Sequence, residues 1–100
     1  MQFLVICRDA EDGQEKRATH LKAHLDYIET ILEHIEVAGP LADAKSGEHR
    51  DSCFIYRADS EEEALQLLLN DPYCKGGVYQ DWQIREFRGV AGRWVGGKNW

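Results

Sequence analysis

The run Phe3–Cys7, "FLVIC", is five consecutive apolar residues near the start of the chain. It is too short for a buried helix and has no polar residue for a wet face, so it predicts a strand covered on both sides. "SCFIYRA", around Cys53–Tyr56, repeats the pattern. A chain of one hundred residues has room for one core, so the two runs belong to the same sheet.

The segments around them supply the rest. From about Glu15, Leu21, Leu25, Ile28, Leu32 and Ile35 recur at steps of four and three, which predicts one long helix with a single apolar stripe. "IEVAGPL" reads as a short strand ended by Gly39 and Pro40, and "ADAKSGEHRD" as a loop or hairpin connection. In "DSEEEALQLLLNDPY", Ser60 and Glu63 form a capping box, Leu65, Leu68 and Leu69 mark the inner side, and Pro72 ends the helix. Asp71 can cap one further turn, and "DWQIREF" closes the pattern as a strand with Trp82 and Ile84 on one face.

The order βαββαβ is that of a ferredoxin-like α+β domain, a four-stranded antiparallel sheet with both helices on one side and strands one and three in the middle. Those are the two apolar strands. Their second face would be wet in an isolated protomer, which predicts a homodimer that buries sheet against sheet, a dimeric α+β barrel-type assembly. The domain spans residues 1–88, and the Gly/Trp-rich tail 89–100 is an extension expected to pack on its own domain or its partner.

Twelve basic and eighteen acidic residues give a net charge of −6, with no basic stripe interleaved with aromatics, which argues against nucleic acid. No run approaches the ~18 apolar residues of a membrane span, and "MQFLVICRD" lacks the features of a secretory signal, so a cytoplasmic location is expected. Cys7, Cys53 and Cys74 have neither disulfide parity nor Cys-x-x-Cys spacing and are expected as reduced thiols.

His24 interrupts the apolar stripe of the long helix. At 100° per residue the stripe runs from Ile31 to Leu25 and is centred near Ile28, with His24 inside it, His20 at its margin and His34 facing outward. A half-buried histidine beside an acid suits proton transfer near neutral pH; the alternative is a satisfied structural histidine. His20 and His24 share a face but lack a third ligand, so no metal is expected.

"THLKAHLDYIETILEHIEVAGPL" followed by "DPYCKGGVYQDWQIREF" resembles the YCII-related (YciI-like) family over roughly Met1 to Arg88. The resemblance implies a dimeric ferredoxin-like fold and a histidine–aspartate active-site pair, which falls here on His24 and Asp71. One branch of that family eliminates chloride from a chlorinated hydroxyquinol, and muconolactone isomerases share the dimeric fold. The implied activity is a cofactor-independent lyase or isomerase acting on a small cyclic or aromatic substrate. In that reading backbone around Gly39 and Pro40 shapes the pocket, Arg8 offers a cation to developing negative charge, and Tyr79 presents a hydroxyl to the ligand. The alternative is a non-catalytic dimeric module that binds a small ligand or a protein, with Trp94 and Trp100 making the contact.

Overall fold

The computed structural model describes residues 1–100. In chain order the elements are β1 (Gln2–Asp9), α1 (Gly13–Thr30), β2 (Ile35–Ala42), β3 (His49–Arg57), α2 (Glu61–Leu69), α3 (Pro72–Lys75) and β4 (Tyr79–Phe87). The four strands form one antiparallel sheet in the order β2-β3-β1-β4, so the two apolar runs occupy its centre as the sequence predicts. This is a ferredoxin-like α+β fold.

The pleat decides which side chains meet the helices. Phe3, Val5 and Cys7 of β1 pair with Tyr56, Phe54 and Ser52 of β3, and all six are buried. Their apolar members join Ala64 and Leu68 of α2 and Tyr73 of α3 in one core, against which Tyr27 and Ile28 of α1 and Trp82 and Ile84 of β4 also pack. Leu4, Ile6, Cys53 and Ile55 point the other way, and Ile6 is 41% exposed. The double burial expected of β1 and β3 is therefore half met within one protomer.

Two helix starts follow their capping chemistry. The Ser60 hydroxyl accepts from the Glu63 amide at 3.1 Å, and one Asp71 carboxylate oxygen accepts from the Tyr73 amide at 2.9 Å. The start of α1 depends on Gly13, where a Cβ would lie 2.9 Å from that of Asp9, so only glycine lets this turn approach the end of β1.

The long apolar stripe does not stay helical. α1 ends at Thr30, Leu32–His34 form a 3-10 turn, and Ile35 opens β2. The connection after β2 is a hairpin whose strands reach Ala42 and His49. The tail is also more regular than its glycines suggest: β5 (Ala91–Gly92) and β6 (Gly97–Lys98) pair around a 3-10 turn. It does not bury its indoles on its own domain, since Trp94 and Trp100 are 78% and 75% exposed.

Candidate active site

Between α1 and the β2–β3 edge of the sheet lies a cavity of about 400 Å³. Leu21, Leu25 and Ile28 form its helical wall, Ala38, Gly39 and Pro40 its β2 wall, and Arg17, His24, Ser52 and Tyr73 bring polar and aromatic groups to it. Leu21 and Leu25 belong to the apolar stripe yet remain about half exposed, because part of that stripe lines this opening instead of the core.

His24 reaches across to Asp71. Its Nδ1 lies 2.7 Å from Asp71 Oδ1, between a largely covered imidazole and a carboxylate with no exposure. A carboxylate only accepts, so Nδ1–H is the donor, and Nε2 is left as the basic nitrogen of the neutral ring. Nε2 has no partner within the protein. The same Asp71 oxygen accepts from the Tyr73 amide, so the cap of α3 fixes the carboxylate that orients the histidine. The Tyr73 ring stacks on the imidazole, with centroids 3.7 Å apart and planes 1° from parallel.

A second polar cluster adjoins the first. Arg17 Nε and Nη2 donate to both oxygens of Asp9, at 2.8 and 2.9 Å, and Nη2 also reaches the Asp51 carbonyl and the Ser52 hydroxyl. Burial works against the guanidinium charge, but the hydrogen bonds and charge of Asp9 outweigh it and hold Arg17 above its ordinary range. Asp51 turns its carbonyl toward Arg17 from a left-handed backbone, φ 66°, while its carboxylate accepts from the Asp9 amide at 2.7 Å. Aspartate tolerates that conformation better than most residues.

Of the residues singled out from sequence, His24, Asp71, Gly39 and Pro40 come together here, with Asp71 behind the cavity wall. Arg8 does not join them. It forms an exposed ion pair with Asp81 and lines a separate polar groove with Asp43, Arg50 and Asp51. The guanidinium at the cavity is Arg17. Tyr79 is buried, and its hydroxyl donates to Ser52 Oγ at 3.0 Å, so it supports the wall instead of facing a ligand. His20 packs over Gly76, where its ring leaves no room for a Cβ.

Sequence reasoning missed Arg17, Ser52, Tyr73 and His49, the last exposed at the cavity rim. For Arg17 a signal was present. It precedes His24 by seven residues, two helical turns, and so shares its face.

The model of the YCII-related domain matches residues 1–88. The chain belongs to the YCII-related family. Among solved structures, this family member is similar to 5-chloro-2-hydroxyhydroquinone dehydrochlorinase (TftG) from Burkholderia phenoliruptrix, solved in complex with 2,5-dihydroxybenzoquinone. The two are 28% identical with a TM-score of 0.81, over 93% of this chain and 97% of that one. A NIPSNAP domain protein from Burkholderia xenovorans is more distant, at 15% identity and a TM-score of 0.48 over 91% of this chain and 96% of that one. No match was found among curated proteins.

Proposed function

We propose that this YCII-related protein is a lyase or isomerase acting on a small cyclic or aromatic substrate, with His24 as the general base and acid and Asp71 as its orienting partner. The observation that carries this reading is the 2.7 Å contact between His24 Nδ1 and a fully buried Asp71, beside a cavity of about 400 Å³. Asp71 holds the ring so that Nε2 is the basic nitrogen, and it stabilises the imidazolium formed when Nε2 takes a proton. Likeness to TftG favours dehydrochlorination of a hydroxylated ring. In such an elimination a proton first moves from a ring hydroxyl to the carbon that bears chlorine, leaving a carbonyl and an sp3 C–Cl centre; Nε2 then takes a proton from a second hydroxyl, the freed O–H pair forms the other quinone carbonyl, the adjacent ring double bond shifts, and chloride leaves with the C–Cl pair.

The working unit is proposed to be a homodimer covering Leu4, Ile6, Cys53 and Ile55 of the open sheet face. Exposed Trp94 and Trp100 favour a second reading, a module that recruits another protein through its tail. The two readings separate on one assay. The enzyme reading expects wild-type protein to release chloride from 5-chloro-2-hydroxyhydroquinone, or to turn over another small cyclic compound that raises its melting temperature. Failure across such a panel, with no thermal shift from any of them, contradicts it.

A further inference from the structure

We propose that His49 is the second acid–base group of the His24 cavity, brought to it by a β-bulge at Asp51. The assignment deepens the acid–base reading of the cavity and rests on it. Alternation along β3 turns Ser52, Phe54 and Tyr56 toward the helices, so an unbroken strand would send Arg50 the same way and His49 to the opposite face. The register breaks before that point. Pro40 pairs with Ser52 and the next residue, Leu41, pairs with Arg50, which leaves Asp51 as the extra residue of the strand, left-handed at φ 66°. The bulge exchanges the two side chains. His49 lines the His24 cavity with Ser52 and Phe54, whereas Arg50 lines the separate polar groove with Arg8. Two contacts hold this arrangement: the Asp51 carboxylate accepts from the Asp9 amide at 2.7 Å, and Gln14 Nε2 of α1 donates to the His49 carbonyl at 2.7 Å.

His24 alone does not cover the chemistry. Asp71 and the stacked Tyr73 ring fix its imidazole, so Nε2 serves one edge of a bound ring. A reaction that moves one proton from oxygen to carbon and then removes another needs transfers at two edges. Few side chains at the cavity can make the first one. Arg17 keeps its protons at any ordinary pH, and Ser52 accepts from both Arg17 and Tyr79. Burial lifts the Tyr73 phenol above its usual range and keeps it protonated. His49 remains. It stands on the sheet wall, opposite the helical wall that carries His24, and no carboxylate pairs with its ring. An imidazole both accepts and returns a proton near neutral pH. His49 takes the proton of the first hydroxyl, whose O–H pair enters the new carbonyl, and returns it to the ring carbon, where a π pair forms the C–H bond. The substrate neither gains nor loses electrons, and His24 stays free for the later proton.

Histidine ring resonances, followed by NMR while 2,5-dihydroxybenzoquinone is added to the whole protein, give the first readout. His24 and His49 should both shift, and His34, which lies away from the cavity, should not. Asp51→Val should lose the His49 shift, because a β-branched residue resists the left-handed backbone. Asp51→Gly, which adopts it freely, should keep the shift. Turnover of 5-chloro-2-hydroxyhydroquinone gives the second readout. His49→Gln should lower kcat about 100-fold with KM within about threefold of wild type, the split expected of a proton carrier, whereas a residue that only contacts the ligand would raise KM and keep kcat. Melting curves identify which variants are folded, and His49→Gln, at an exposed position, carries the comparison if Asp51→Val is not. Binding without a His49 shift, or a kept kcat in folded His49→Gln, overturns the role of His49 and leaves the His24–Asp71 pair standing. A wild type that fails to bind 2,5-dihydroxybenzoquinone, or binds it yet turns over no ring compound, removes the acid–base reading as well.

Discussion

Asp71 serves two neighbours through one oxygen. Oδ1 accepts from the Tyr73 amide and from His24, while Oδ2 and the Tyr56 hydroxyl are buried without a partner. Asparagine in its place can still accept from the amide but carries no charge to stabilise an imidazolium. Asp71→Asn is therefore expected to lower kcat about 100-fold or more in steady-state assays. Thermal melts should place the same variant within about 1 kcal/mol of wild type, since the cap persists. The sequence made His24 legible as a polar residue on an apolar stripe and Asp71 as a cap, but their pairing came from family resemblance. Forty-seven residues separate them, and no local pattern reports a contact across that distance. Arg17 was hidden for another reason, since a charged residue near a helix start reads as solvated. Nothing in the local sequence marked Asp51 as left-handed.

At the scale of elements, the junction of β1 and α1 sets the site. Asp9 ends the strand, Gly13 lets the helix approach it, and one turn later Arg17 closes the ion pair. Gly13→Ala should force these elements apart. The expected cost in urea titration is about 1–3 kcal/mol, as for overpacking elsewhere, with weaker binding of ring compounds because Arg17 moves. An unchanged midpoint would mean that the close approach is dispensable. The strands and their order were readable because apolar runs and turn residues are local features. The end of α1 was not, because Leu32 and Ile35 continue the helical spacing although the backbone has already turned into β2.

At the scale of the molecule, the proposed homodimer rests on the open sheet face. Leu4, Ile6, Cys53 and Ile55 form one apolar surface on the side away from the helices, and soluble monomers rarely leave such patches uncovered. Light scattering at micromolar concentration should return twice the chain mass, and Ile6→Arg should return the monomer mass. Thiol chemistry reports the same face. Burial raises the Cys7 thiol far above its usual range and raises Cys53 as well. In the dimer neither should be alkylated at neutral pH, and Ile6→Arg should expose Cys53 while Cys7 stays inert. Equal Cys53 labelling in both proteins would contradict sheet-to-sheet packing. The tail was the least legible part, since its glycines concealed a hairpin and its indoles find no cover on the protomer.

The central claim is that His24 works through Nε2. From sequence, leucine at this position would be expected to stabilise the helix, but it would leave the buried Asp71 charge without its partner, which costs several kcal/mol. His24→Asn is the cleaner probe, because its amide N–H can stand in for Nδ1–H toward Asp71 while nothing replaces Nε2. The decisive measurement is the rate of chloride release from 5-chloro-2-hydroxyhydroquinone, or of turnover of whichever ring compound the wild type accepts, by folded His24→Asn protein. The account predicts a loss of about 10²- to 10⁴-fold with the melting temperature nearly kept; turnover at the wild-type rate would contradict it.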